Sequence, residues 1–192
     1  MEEKKMDRRV RKTRRQLRQA LTVLMKEKPV KDITVREIAD MVDINRGTFY
    51  LHYRDVYDML EQIENEIFDE FNALINAKPI LEGEKQPMLA LRDIFTYFAA
   101  NADMAIALIG PHGDQAFLSK LKNLLRDKCL HEWMQAYHTA NAETFDYFYA
   151  FAVYGCIGLF QHWLETGMRE PPERMAALAE QIILSGVQVL TA

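Results

Sequence analysis

A chain of 192 residues, 49% hydrophobic and 27% charged, has the make-up of a soluble globular protein and is long enough for one large domain or a large and a small one. No apolar run approaches the roughly 20 residues that span a bilayer, and the charged N-terminus lacks an apolar secretory segment. A cytoplasmic protein without a membrane partner is therefore expected. The net charge of −4 hides an asymmetry: residues 1–60 hold 15 Lys and Arg against 10 Asp and Glu, and residues 61–192 hold 9 against 18. That division fits a small nucleic-acid-binding domain carried by a larger one that avoids nucleic acid. Cys129 and Cys156 stand apart with no Cys-x-x-Cys pair, which suits small apolar residues better than a disulfide.

Apolar spacing predicts a first helix over residues 8–27, with Val10, Leu17, Leu21, Leu24 and Met25 on one face and arginines crowding its start. Lys28-Pro29 ends it. Thr34 and Glu37 have the spacing of a capping box, opening a short helix with Ile38, Ala39 and Val42 on its apolar side. Met41 to Ile44 turns the chain, and Asp43 tolerates a left-handed backbone there. Asn45 then caps another short helix whose Phe49 and Leu51 are expected to pack inward. Asp55 caps a long fourth helix, about 56–77, along which the seam between two domains is expected; Pro79 and the run from Glu82 to Pro87 break the chain after it.

Everything that follows reads as helix. The expected segments are 88–101, a short piece at 103–109, then 115–139, 143–165 and 172–190. Gly167 stops the fourth of these and Pro171-Pro172 opens the last. No strand-like alternation competes, so the fold class is all-α. The last two helices carry too much apolar surface for one core, with Ile157, Phe160 and Trp163 on the first and Leu178, Ile182 and Val187 on the second. One stripe can face the core and the other a second subunit, where Gly155 and Gly158 would allow close approach. A homodimer is expected from this excess.

The pair of short helices carries the chemistry. In a helix-turn-helix the second helix enters the DNA major groove, and its first residues reach base edges. Arg46 suits bidentate recognition of guanine, and Thr48 can meet a thymine methyl, a base or a phosphate. Gly47 costs about 1 kcal/mol in helix propensity against Ala, which makes sense where a helix start must come close to a phosphate. Arg14 and Arg15 add cationic charge from the first helix.

The arrangement Thr34-x-Arg36-x-Ile38-Ala39 followed by Asn45-Arg46-Gly47-Thr48-Phe49-Tyr50-x-His52-Tyr53 resembles the DNA-binding domain of TetR-family bacterial transcriptional regulators. The resemblance is close over residues 8–60 and covers the remainder in helix pattern only. It implies a three-helix DNA-binding head, 1–55, and a helical regulatory and dimerisation body, 56–192. It also implies phosphate or base contacts from Tyr50, backbone contacts from His52, Tyr53 and Arg54, and a place near the groove for Arg36. Dimerisation would use a four-helix bundle formed by the last two helices of each subunit, matched to double-stranded DNA with a palindromic operator. Two positions depart from the family pattern: Asp43 stands where Gly is common, and Val56 where many members have a phosphate-binding Lys.

The family's bodies commonly hold a small-molecule effector that weakens DNA binding. The candidate lining here is aromatic and Met-containing: Phe95, Phe98, Met104, Phe117, Trp133, Tyr137, Phe148, Phe151 and Tyr154. The same composition suits a plain core. A repressor released by its effector is the leading expectation, and a coactivator that binds a protein partner is the alternative. An all-α enzyme has nothing to recommend it, since no phosphate loop, nucleophile motif or paired-carboxylate motif is present. His131 and His138 lie seven apart with Cys129 nearby, but no third ligand stands at metal spacing. No cofactor or metal is expected.

Overall fold

The computed structural model describes residues 2–77, 89–110, 112–136 and 142–191, with side chains described for 8–77, 91–110, 112–129, 132 and 143–185. The described residues are helical throughout, joined by turns, and include no strand. The expected break at Pro79 and Glu82 to Pro87 lies outside them.

By contact the chain forms two compact units, one of residues 1–67 with 103–114, the other of 68–102 with 115–192. The division runs through the long fourth helix. In the first unit, α1 (Glu2–Glu27) starts earlier than apolar spacing foretold and is followed by a 3-10 turn (Val30–Asp32), α2 (Val35–Met41), α3 (Arg46–Tyr50) and the first part of α4 (Val56–Asn76). Leu17, Leu21 and Met25 of α1, Ile38 and Ala39 of α2, Phe49 of α3, and Met59 and Ile63 of α4 are all buried, and α2 packs on both α1 and α3. These are the residues that the helical period selects for a single face. Val56, where a phosphate-binding lysine was the family expectation, is buried with them.

Helix α6 (Ala102–Ile109) belongs mostly to this unit. Lys26 and Asp103 form an ion pair, and the Thr22 hydroxyl lies 3.6 Å from the Met104 sulfur while donating to the Arg18 carbonyl at 2.8 Å.

The second unit contains the rest of α4 with α5 (Leu89–Ala100), α7 (Gln115–Ala136), α8 (Ala142–Glu165) and α9 (Pro172–Thr191). Helix α5 packs on α9, and α8 packs on both α7 and α9. Aromatic residues fill its centre: Phe95 lies 5.8 Å from Phe160 and 5.9 Å from Trp163, and Phe98 lies 5.3 Å from Phe160 and 5.9 Å from Phe71, centroid to centroid. The link from α8 to α9 is a Schellman-type cap. Gly167 has a positive φ of 81°, its N–H donates to the Leu164 carbonyl, and the Met168 N–H donates to the Trp163 carbonyl. Pro172 sits in the first turn of α9, where its missing N–H goes unneeded.

Candidate nucleic-acid interface

The helix-turn-helix is fixed at each of its joints by a named hydrogen bond. At the start of α2 the capping box is complete: the Thr34 hydroxyl accepts from the Glu37 N–H at 3.3 Å, and the Glu37 carboxylate accepts from the Thr34 N–H at 2.9 Å. Lys28 donates to the same carboxylate at 2.5 Å. This lysine bond and the Thr34 bonds hold the Glu37 carboxyl down at about 2.

Helix α2 ends in a second Schellman-type turn, with the Ile44 N–H on the Ala39 carbonyl at 3.0 Å and the Asp43 N–H on the Asp40 carbonyl at 3.3 Å. That geometry requires a left-handed residue, and Asp43 supplies it at φ 54°. Asn45 then caps α3, its side-chain oxygen accepting from the Gly47 N–H at 2.8 Å. After α3, Asp55 accepts from the Asp58 N–H at 2.8 Å and starts α4.

Around these joints the candidate DNA residues fall into distinct groups. Arg46 is exposed and makes no ion pair or hydrogen bond with a described residue, and Tyr50 is 57% exposed with its ring edge against Phe49. Gly47 is exposed, and a Cβ placed on it would meet only the Asn45 side-chain oxygen at an ordinary 3.4 Å. Nothing inside the protein demands glycine there. Thr48 and His52 are half-buried. Burial of the His52 ring, and secondly the charge of Arg14, lowers its pKa.

Arg36 and Arg54 are exposed but each has a carboxylate partner one turn away, Asp40 at 3.4 Å and Asp58 at 3.1 Å. Arg14 covers the Tyr53 ring at 5.6 Å, while Arg15 is exposed and without a described partner.

Two expectations are corrected. Tyr53 is only 6% exposed, because its ring packs 5.7 Å from Phe49 beneath Arg14, so it serves the packing of the head and has little surface for a phosphate. Leu51 does not pack inward: as the C-cap residue of α3 it stands 82% exposed. Residues two apart on a helix do not share a face, so with Phe49 turned into the core Leu51, whose backbone is still helical, faces outward. Leu51 is thus an exposed apolar neighbour of Tyr50 that sequence reasoning missed.

The described residues among those expected to line an effector pocket lie in different surroundings. Phe95 and Phe98 belong to the aromatic core, Phe117 is buried, and Phe148 is half-buried. Met104 lies in the first unit beside Thr22. Phe151 and Tyr154 are 71% and 63% exposed, and the Lys122 ammonium sits 4.5 Å from the Tyr154 ring centroid. The Trp133 side chain and Tyr137 lie outside the described residues, as do the side chain of His131 and all of His138.

The expected dimer residues divide as well. Phe160 and Trp163 are buried inside the chain, the Trp163 indole N–H donating to the Glu170 carbonyl at 2.9 Å, so they have no face to offer a partner. Ile157 is half-buried, Leu178 and Ile182 are 44% and 51% exposed, and the Val187 side chain lies outside the described residues. Helix α8 is open on one face rather than enclosed, with Tyr147, Phe151 and Tyr154 outward, and a Cβ on Gly155 or Gly158 would touch nothing within 4 Å.

Burial pushes the Cys129 thiol up to about 12 and the Cys156 thiol up to about 11, which leaves both protonated at neutral pH. Among the described residues no group of three His, Cys, Asp or Glu side chains could hold a metal ion. None of the described helices is long and apolar enough to cross a membrane.

Comparison with known proteins adds to this geometry. The family model TetR_C_8, described as "Transcriptional regulator C-terminal region", matches residues 85–185, more than half of the chain. Over 65 residues the chain is 34% identical to the uncharacterized HTH-type transcriptional regulator YxbF of Bacillus subtilis (strain 168), a match over 30% of this chain. The match spans only 17% of the length of that curated relative. Among solved structures, a TetR transcriptional regulator from Streptococcus agalactiae 2603V is similar at a TM-score of 0.62 and 20% identity, covering 93% of this chain and 97% of its own. The regulator FadR from Bacillus subtilis, solved in complex with stearoyl-CoA, is similar at a TM-score of 0.66 and 16% identity, covering 89% and 97%. At these identities the two solved structures bear on the fold alone.

Proposed function

Since this chain belongs to the TetR family of transcriptional regulators, we propose that it is a homodimeric repressor that binds a palindromic operator through α3 and leaves it when a small molecule occupies the body. The observation that carries the DNA-binding part is the state of Arg46: a cation at the start of a capped helix, exposed, with no described partner. Arg36 and Arg54 are already neutralised by their neighbours, and Arg46 is not. Gly47 beside it has no side chain to hold a DNA backbone away from the start of α3. On this reading Arg46 reads a base, Tyr50 and Thr48 take a base or phosphate, and His52, Arg54, Arg36, Arg14 and Arg15 supply the surrounding field. Tyr53 holds the platform. The functional division is a DNA-binding portion, 1–55, and a regulatory and dimerisation portion, 56–192.

Dimerisation is proposed through the open faces of α8 and α9, centred on Phe151, Tyr154, Leu178 and Ile182, a run of exposed apolar side chains of the kind that marks an interface. Two-fold symmetry would then match two operator half-sites. The effector is proposed to be apolar or amphipathic, because the second unit has an aromatic interior. Long-chain acyl-CoA is one candidate, suggested by the ligand of the Bacillus subtilis neighbour. The test is selection of duplexes from a random-sequence pool by the purified protein. Enrichment of a two-fold-symmetric sequence is expected, and a pool that stays random would end the proposal.

A further inference from the structure

We infer that the start of α1 is a second DNA contact, in which Arg8, Arg9 and Lys12 grip the phosphate backbone of the duplex flanking each half-site. The inference rests on the DNA-binding reading above and extends it to residues outside the helix-turn-helix.

The first observation is that this part of α1 has no core to serve. From residue 8 to residue 16 no side chain is buried, even Val10 is 39% exposed, and the packed face of the helix begins at Leu17. The helix nonetheless runs unbroken through this stretch. Residues 8–15 extend about 10 Å along its axis, the length of about three base pairs of duplex at 3.4 Å each.

The second observation is charge. Six of the eight positions from Arg8 to Arg15 are basic. Arg8, Lys12 and Arg15 recur at four- and three-residue spacing, so they line one face and repel one another, which by itself disfavours a helix. Arg18 and Arg14 show what partners look like where the head provides them: Arg18 meets Glu66 at 2.9 Å and Arg14 covers Tyr53. Arg8, Arg9, Lys12 and Arg15 form no ion pair with a described residue. A row of cations spread along an axis, rather than converging on a point, suits a polyanion with regularly spaced charges better than a small anion.

Continuity selects DNA as that polyanion. Arg14 rests on Tyr53, which closes the turn directly after α3. The basic row therefore begins at the proposed reading helix and leads away from it, and the duplex held by α3 is the polyanion at its base.

The test uses the full chain and a duplex selected by the unmodified protein, prepared with one helical turn of flanking DNA on each side and also trimmed to the selected core. The substitution Arg8→Gln/Arg9→Gln/Lys12→Gln touches no buried residue, and an unchanged melting curve verifies the fold. On the flanked duplex it should flatten the salt slope by about 0.9 per lost phosphate contact, up to about 2.7, and on the trimmed duplex it should change nothing. Arg8→Lys/Arg9→Lys keeps the charge and should bind like the unmodified protein. Equal losses on both duplexes, or no loss on either, would overturn the inference. If Arg46→Ala weakens binding while the triple substitution does not, only this inference fails. If selection yields no duplex, the DNA-binding reading fails and takes this one with it.

Discussion

The guanidinium of Arg14 lies over the ring of Tyr53, 5.6 Å from its centroid, and fastens α1 to the residues that leave α3. The same cation is the second cause, after burial, of the lowered pKa of His52. Arg14→Ala should therefore cost about 0.5–1 kcal/mol of stability, the worth of an exposed cation–π contact. It should also raise the His52 pKa without returning it to 6.5, because burial is the larger cause. His52 is depressed in the folded state, so its contribution to stability is complete above pH 6.5 and lost as the pH falls through the folded value. Titration of the His52 ring protons by NMR in both proteins tests the link. An unmoved His52 in Arg14→Ala would show that the two residues are independent.

The capping box offers a test of what holds α2 in place. Thr34→Ala removes the oxygen that accepts the Glu37 N–H and should cost about 0.5–2 kcal/mol in denaturant unfolding. Glu37 is held at about 2, below its ordinary 4.5, first by Lys28 and then by Thr34. A depressed carboxylate contributes stability that is present above the unfolded value and lost as the pH falls through the folded one. Acid unfolding of the head should thus have a component between about pH 4.5 and 2 that Glu37→Gln removes. A pH profile identical in Glu37→Gln would mean that the carboxylate's partners do not matter.

Much of this architecture is legible in the chain because its signals are local. The capping box, the Asn45 cap, the left-handed Asp43, the Gly167 stop and the Pro172 start each depend on a few neighbouring residues, and each stands where the spacing put it. Long-range packing is what the sequence conceals. Nothing in residues 103–114 reveals that they cluster with the N-terminal unit, since the Thr22–Met104 and Lys26–Asp103 contacts join positions about eighty apart. Phe160 and Trp163 look like interface residues by composition, but helix phase turns them toward Phe95. Leu51 is legible by contrast: two residues after the buried Phe49, it falls on the opposite side of the same short helix.

The proposed dimer makes a clear demand on solution behaviour. Light scattering should give twice the chain mass of 22.4 kDa at micromolar concentration, where an interface of the usual size, about 1,600 Å², normally holds. Ile182 is half-exposed, so Ile182→Asp should leave the fold of the single chain intact while burying a charge at the partner's surface. That variant should be monomeric and should lose operator binding. A 22.4 kDa species from the unmodified chain would remove the dimer.

The effector proposal separates a core role from a ligand role. Phe95 is buried against Phe160 and Trp163, and Phe95→Ala should cost about 3–5 kcal/mol whether or not a ligand exists. A ligand at one hundred times its dissociation constant should add about 2.7 kcal/mol to the unmodified protein. A thermal-shift series of fatty acids, acyl-CoA thioesters and hydrophobic cations should produce a stabilising compound that also lowers operator affinity. If none shifts the melting point and a protein partner co-purifies instead, the body is a protein-binding module.

Arg46 and Tyr50 decide the central reading. Both are exposed on a helix whose start is held by the Asn45 cap, and the side chain of Arg46 is not engaged elsewhere among the described residues. A bidentate contact from Arg46 to guanine would make Arg46→Ala cost about 1–3 kcal/mol on the selected operator and relax preference at one base pair. Tyr50→Ala should also weaken binding. If Tyr50 meets phosphate, the loss should be nearly equal on operator and unrelated DNA, whereas a base contact would lower the operator alone. The half-site centres should lie roughly 34–36 Å apart or at a multiple of that, so that two copies of α3 enter successive major grooves on one side of the duplex. Fluorescence anisotropy on the selected duplex measures each of these. Were both alanine variants to bind it as tightly as the unmodified protein, α3 would not be the reading helix, and the exposed Arg46 would need another explanation.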